Sequence, residues 1–315
     1  MADRPLSAPL VSVNIPCYRQ LDRLRRCIQS VLAQTLQDFE VTLLDDGASD
    51  EYRQYVESLG DPRVHYVRNP VRLGAMGNMF AAIAAGRGRY TIAFHEDDLL
   101  GAHYLETACR VLDADASCGF VAAEMTAFED SGEPSTNDLQ QPIDPSAIDR
   151  YADDAAFVRA LLRGANPMFG SVVYRRAATE GVVPQHDAYA TLVDRPFLLT
   201  MLERWSGACV RGPAVWYRAH GDGDTRNLAM APEHILRLLA RYRQALPAAL
   251  DDEDQRLFYD FSGYWLFTLY RMTAPAERSS LRRFVVQAWR DGLYNPRWSR
   301  GYGRKRLLGL MLTGS

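Results

Sequence analysis

Two hydrophobic periods alternate along the first hundred residues. Val11, Val13 and Ile15 alternate with polar neighbours, the period of two that marks a strand, and Leu21, Leu24, Ile28, Val31 and Leu32 then recur at helical spacing. The apolar run 39–44 suits a buried strand, the polar stretch 49–58 a helix, and 64–67 a third strand. An alanine-rich helix follows over 75–85, closed by Gly86 and Gly88, and 90–94 is a fourth strand. Strand and helix in regular succession, with short joints, predict a parallel sheet covered by helices on both faces.

Beyond Phe128 the composition changes. Residues 128–150 are rich in Asp, Pro, Ser and Gln and read as a long surface loop, a candidate lid. Strand and helix patterns resume after it: 169–174 as a strand, 192–205 as a helix and 208–218 as an extended segment. From Pro232 onward the pattern is helical, with Trp265, Trp289 and Trp298 as bulky packing residues, which predicts a helical appendage over 229–315.

Composition narrows the class. Of 315 residues, 47% are hydrophobic, enough to bury a core, so disorder is excluded as the main state. A formal net charge of −3 gives no overall basic field for nucleic acid. No stretch approaches the ~20 apolar residues of a membrane span, and Met1–Pro5 lacks the apolar core of a secretory signal. A cytoplasmic protein is therefore expected. Five cysteines without a C-x-x-C pair read as buried hydrophobes rather than a disulfide or zinc framework. There is no G-x-G-x-x-G after the first strand and no G-x-x-x-x-G-K-[ST], which removes dinucleotide and P-loop chemistry.

Ligands of open parallel sheets sit beyond the carboxyl ends of the strands. All four predicted strands deliver polar or special residues there: Pro16-Cys17-Tyr18, Asp45-Asp46-Gly47, then Asn69, Arg72 and Gly74, and last His95-Glu96-Asp97-Asp98. Three consecutive acids repel one another, and Mg²⁺ or Mn²⁺ would neutralise them while keeping positions for phosphate. The alternative is a solvated loop whose acids cap the following helix. Asp46 can accept the imide N–H of a uracil or thymine ring, while Ser49 or Asp50 caps a helix. Tyr18 offers a stacking face and Arg72 a planar fork for a diphosphate; singly, each is equally a packing or surface residue.

Assembled, these segments resemble glycosyltransferase family 2, with the GT-A fold. The matching stretches are V-S-V-N-I-P-C-Y (11–18), S-V-L-A-Q-T-L-Q-D-F-E-V-T-L-L-D-D-G-A-S-D (30–50), R-L-G-A-M-G-N (72–78), G-R-Y-T-I-A-F-H-E-D-D (88–98) and N-P-M-F-G-S-V-V-Y-R-R (166–176), followed by L-V-D-R-P-F-L-L (192–199) and W-Y-R-A-H (216–220). The resemblance implies a Rossmann-like, mostly parallel sheet over 1–228, with a donor half near 8–125 and an acceptor half near 126–228. It also implies inverting transfer of one sugar from a UDP- or dTDP-sugar to a hydroxyl of a glycan or lipid-linked glycan, as in polysaccharide or cell-envelope biosynthesis. GDP is the less favoured donor. Carried over residue by residue, Pro16, Tyr18, Asp46, Arg72, Glu96 and Asp97 would hold the nucleotide-sugar. Asp98 and His220 would bind Mn²⁺ or Mg²⁺, and Asp194 would be the general base.

Departures from the family pattern are specific. His95 stands where many members carry the first acid of D-x-D-D, and Val193 replaces the usual glutamate before the base. These two substitutions support the alternative of a catalytically silent sugar-nucleotide-binding module. The Q-x-x-R-W motif of processive synthases is absent, since Met201 stands where it needs glutamine, so one sugar per encounter is expected. Five basic residues between 297 and 306, followed by an apolar run, read equally as a peripheral contact with anionic lipid at the inner face of a membrane and as an amphipathic helix closing the appendage.

Overall fold

The computed structural model describes residues 8–47, 50–219, 231–299 and 303–313. Along the chain run β1 (Val11–Cys17), α1 (Leu21–Leu32), β2 (Phe39–Asp45), α2 (Glu51–Leu59), β3 (Val64–Arg68), α3 (Gly74–Ala84), β4 (Tyr90–Ala93), β5 (Leu99–Leu100), α4 (Tyr104–Ala114) and β6 (Cys118–Phe128). Then follow α5 (Thr136–Leu139), β7 (Ile148–Tyr151), α6 (Asp154–Leu162), β8 (Val173–Arg175), α7 (Arg176–Thr179), α8 (His186–Tyr189), α9 (Asp194–Met201) and β9 (Ser206–Arg218). The last helices are α10 (Pro232–Ala245), α11 (Asp252–Met272), α12 (Arg282–Arg290) and α13 (Arg304–Thr313).

The chain divides into two compact units. The first comprises the described residues within 1–152, 166–184 and 200–226; the second those within 153–165, 185–199 and 227–315. The nine strands of the described residues lie in the first unit and form one mixed sheet in the order β3-β2-β1-β4-β8-β6-β9-β5, with β7 also paired to β9.

Half of this sheet follows directly from the local pattern. β1 pairs in parallel with β2 and β4, and β2 with β3, as the strand–helix succession requires. Between them, α1 buries Leu24, Cys27, Ile28 and Val31, residues three or four apart that share one helix face. The chain runs outward from β1 to β3 and then returns to add β4 on the other side of β1. That reversal makes a topological switch point at the carboxyl ends of β1 and β4, the place where open α/β sheets bind ligands.

The other half corrects the sequence reading in detail. β8 lies antiparallel between β4 and β6, β9 runs parallel to β6, and β5 and β7 pair antiparallel to β9, so the sheet is mixed rather than parallel throughout. The polar 128–150 stretch is not all loop: its last residues enter β7, because Ile148–Tyr151 find partners in Val210–Gly207. The strand expected over 169–174 is a 3₁₀ turn over Phe169–Ser171 followed by the short β8, and the helix expected over 192–205 is confined to α9. Asp50 precedes α2 without a capping hydrogen bond; its carboxylate instead pairs with Arg68 and Arg53, at 2.8 and 3.0 Å. All five cysteines are buried.

The second unit, among its described residues, is helical. Arg159 on α6 holds the buried Asp254 of α11 through two nitrogens, at 2.8–3.1 Å. No described helix is long and apolar enough to cross a membrane.

Candidate active site

At the end of β4 the chain turns through His95, Glu96, Asp97 and Asp98 before β5. The three acids have different tasks. Glu96 turns toward β1 and α2: its Oε1 accepts the Tyr18 N–H at 2.7 Å and its Oε2 the Tyr52 hydroxyl at 2.7 Å. Tyr52 in turn accepts the Gln20 N–H at 2.8 Å. Burial pushes the Glu96 carboxyl up to about 7, against the pull of those two donors. Glu96 therefore fixes the segment that carries Tyr18.

Asp98 is fully buried. Its Oδ1 accepts the Arg218 N–H at 2.9 Å, and its Oδ2 lies 3.0 Å from His95 Nδ1. Burial raises the Asp98 carboxyl above the usual aspartate range, although His95 and the Arg218 N–H work in the opposite direction. An ionised carboxylate only accepts, so toward ionised Asp98 the Nδ1 of His95 is the donor. The His95 ring fits because Gly170 has no side chain: a Cβ there would stand 2.8 Å from the ring.

His95, Asp97 and Asp98 each offer a ligand atom, all within 4.8 Å of one another. Two carboxylates and an imidazole make a donor set that a divalent cation fits. This group includes Asp98, the expected metal ligand, and His95, which stands where many family members carry an acid. His220, the other expected ligand, lies outside the described residues.

At the end of β2 the two neighbouring acids also differ. Asp45 is consumed locally, accepting from the Gly47 N–H at 2.8 Å and the Tyr66 hydroxyl at 2.7 Å. Asp46 spans to the start of α3, accepting the Leu73 N–H and Gly74 N–H at 2.8 Å and the Asn69 amide at 2.9 Å. Burial disfavours its charge, but these donors and Arg72 outweigh it and hold the carboxyl below the usual aspartate range. Gly74 can turn its N–H onto Asp46 because its φ of +73° is open to glycine. Asp46 therefore organises the 69–74 loop that carries Arg72, while keeping one acceptor position on Oδ2.

Tyr18 is partly exposed, with the guanidinium groups of Arg72 and Arg19 at 4.6 and 4.9 Å from its ring centroid. Pro16 is within β1, opposite Leu44. The first unit thus gathers Tyr18, Asp46, Arg72, Glu96, Asp97 and Asp98 from loops at one edge of the sheet. Asp194 belongs to the second unit, where its Oδ1 accepts the Arg195 N–H at 2.8 Å and its charge, together with Tyr242, supports that of the half-buried Arg195.

Three contributors escaped the sequence reading. Arg218, almost fully buried, donates to the Asp97 carbonyl at 2.9 Å and pairs with Asp130 and Glu133 at 2.8 and 3.0 Å. Tyr52 and Gly170 support Glu96 and His95. Arg218 and Gly170 lie within the matching stretches 216–220 and 166–176, though nothing there singles either out, and the signal for Tyr52 is an aromatic in a polar helix.

Residues 12–161 match the sequence pattern of Glycosyl transferase family 2. WcaA of Escherichia coli K12, assigned to colanic acid biosynthesis as a glycosyl transferase, is 33% identical over 92 residues, which are 29% of this chain and 33% of that protein. WfaP of Escherichia coli, a UDP-Glc:alpha-D-GlcNAc-diphosphoundecaprenol beta-1,3-glucosyltransferase, is 32% identical over 89 residues, 28% of this chain and 35% of that protein. The matched stretches thus span about a third of the length of these curated relatives. In fold, the chain is similar to S. aureus TarS 1–349 crystallised with UDP, with a TM-score of 0.64 at 14% identity over 95% of this chain and 86% of that one. It is also similar to the mannosyltransferase PcManGT from Pyrobaculum calidifontis in complex with GDP-Man and Mn²⁺, with a TM-score of 0.53 at 15% identity over 99% of this chain and 89% of that one.

Proposed function

Residues 12–161 belong to glycosyl transferase family 2, and from that premise we propose that this chain is a metal-assisted, inverting, non-processive glycosyltransferase. It moves one sugar from a UDP- or dTDP-sugar to a hydroxyl of a glycan or lipid-linked glycan. The observation that carries this reading is the convergence of His95, Asp97 and Asp98 at the switch-point edge of the sheet, beside Tyr18 and the Asp46 loop.

In this reading Asp46 accepts the imide N–H of the base through its remaining acceptor position, and Tyr18 offers its ring for stacking. Pro16 shapes the floor beneath the base, and Asp97 lies toward the ribose. Glu96 holds the Tyr18 segment from behind. Arg72, over the Tyr18 ring, gives the diphosphate two parallel donors. The metal would be held by Asp98 with His95 and Asp97, and His220 is proposed as a further ligand. When bound, the cation supplies positive charge against the growing negative charge of the departing diphosphate. An imidazole in an otherwise carboxylate set favours Mn²⁺ over Mg²⁺.

Asp194 takes the proton of the acceptor hydroxyl as that oxygen attacks the anomeric carbon. The bond from that carbon to the diphosphate oxygen breaks, and the sugar changes anomeric configuration. TarS, similar in fold, has been crystallised with UDP and with UDP-GlcNAc, which supports a uridine donor here. WfaP, by its name, acts on a lipid-diphosphate acceptor, which supports the lipid-linked option.

The test is incubation of the protein with Mn²⁺ and separate UDP-, dTDP- and GDP-sugars, following release of nucleoside diphosphate. Release from a uridine or thymidine donor, lost with EDTA and restored by Mn²⁺, is the expected result. Tight donor binding without any release, with or without added glycan acceptors, would make the chain a silent binding module instead.

A further inference from the structure

Helix α12 is amphipathic in an unusual way. Val285 and Ala288, with Leu281 just before the helix, are buried, while Arg282, Arg283, Gln287, Trp289 and Arg290 are exposed. At 100° per residue, the exposed set spans one continuous outward face. A concavity of about 530 Å³ lies on it, lined by Val286, two serines, Gln287, Arg282, Arg283 and Arg290, with hydroxyl, amide and guanidinium donors and no acid. The Arg282 guanidinium donates to the Met311 carbonyl at 3.3 Å, which joins this face to the end of α13. α13 buries Leu307 and Leu310 and exposes Arg304, Lys305, Arg306 and Leu312.

An ordinary solvated helical surface mixes charges of both signs. Residues 279–313 hold eight basic residues and one acid, Asp291, and that acid accepts from the Gln287 amide. Among the described residues no carboxylate pairs with Arg283, Arg290, Arg304, Lys305 or Arg306. Three of these stand in the first turn of α13, where the helix dipole is positive and repels them. The same two helices carry two large apolar side chains in water: Trp289 on α12 is 51% exposed and Leu312 on α13 78%. A phosphodiester backbone would satisfy the arginines but not the tryptophan and leucine. The interface of an anionic bilayer satisfies both, phosphates meeting the guanidinium groups while Trp289 and Leu312 reach the acyl boundary.

We propose that the α12–α13 face of the second unit is a peripheral docking surface for an anionic phospholipid bilayer. The proposal stands apart from the glycosyl-transfer reading, because vesicle binding is measured without turnover.

The full-length protein is sedimented with vesicles of phosphatidylglycerol and phosphatidylcholine in equal parts, and with phosphatidylcholine alone. Partition into the anionic vesicles should exceed that into neutral ones by about a hundredfold or more and collapse in 0.5 M salt, as screening of surface charge requires (at about fivefold per charge, three engaged basic residues suffice). Arg283→Glu with Arg290→Glu should abolish the preference, and the milder pair Arg283→Gln, Arg290→Gln should lower it about 25-fold, at about fivefold per charge. Trp289→Ser should weaken binding to the anionic vesicles several-fold with the salt dependence intact. Equal partition into both vesicles, or anionic binding untouched by the glutamine pair, overturns the proposal. So does self-association of the protein that the glutamine pair dissolves in the absence of lipid, since the face would then join copies of the chain.

Discussion

The backbone N–H of Arg218 donates to the buried carboxylate of Asp98 at 2.9 Å, across 120 residues of sequence. The same arginine's side chain holds the Asp97 carbonyl, Asp130 and Glu133. The end of β9 is therefore the clamp that sets the acidic turn after β4. Arg218→Met keeps the backbone donor but removes the guanidinium from the Asp97 carbonyl, while Asp130 and Glu133 retain Arg23 and Arg26. We expect a loss of about 1–3 kcal/mol in stability, for the lost hydrogen bond to the Asp97 carbonyl and the buried ion pairs of Arg218. Urea denaturation measures it, and an unchanged midpoint would show that the clamp is dispensable.

Gly170 bears on the proposed metal site through His95. A methyl group added there meets the ring at 2.8 Å, and the ring is tethered to Asp98, so it cannot yield without breaking that hydrogen bond. Gly170→Ala should raise the Mn²⁺ dissociation constant about tenfold or more, the loss of one ligand's contribution of roughly 1.4 kcal/mol, with a smaller effect on melting temperature. Mn²⁺ titration followed by calorimetry reads this directly. Unaltered affinity would remove His95 from the ligand set.

How far the sequence revealed this depends on the range of the interactions. β1 to β4 were readable because each strand's burial is written in its own residues: Val11, Val13 and Ile15 are fully buried. The second half of the sheet was not. β7 exists only because Ile148–Tyr151 meet β9, a pairing between segments some sixty residues apart that no local period announces. The same holds for the site. Asp98 could be singled out because three adjacent acids are costly to bury together, whereas Arg218, Tyr52 and Gly170 owe their importance to neighbours distant in sequence. Asp46 was picked as a ligand group, yet most of its hydrogen-bonding capacity is spent on Asn69, Leu73 and Gly74.

That binding of Asp46 to its loop has a pH signature. Its carboxyl sits below the ordinary aspartate value in the folded protein, so ionised Asp46 adds stability at pH values above about 3.9, the unfolded value. The contribution is lost as pH falls through the lower folded value. Asp46→Ala should cost about 1–3 kcal/mol at neutral pH. The difference from the parent should shrink as pH drops below about 4. Urea midpoints collected from pH 7 down to pH 2.5 would show the two curves converging. Curves that stay parallel would mean the cost of the alanine comes from packing and not from the charge.

Asp194 separates chemistry from binding. Its proposed task arises only as the acceptor hydroxyl loses its proton, so it should matter to transfer and not to donor capture. Asp194→Asn preserves shape and the acceptor for the Arg195 N–H, since the amide oxygen can take the place of Oδ1. Transfer to a glycan acceptor should fall by roughly 10²–10⁴-fold. The dissociation constant for the nucleoside diphosphate with Mn²⁺ should stay within about twofold, since all the proposed donor and metal ligands are intact. Calorimetry and a coupled nucleotide-release assay provide the two readouts on one preparation. A variant that loses donor affinity in step with transfer would place Asp194 in structural support of the fold, and one that keeps transfer would assign the base to another group.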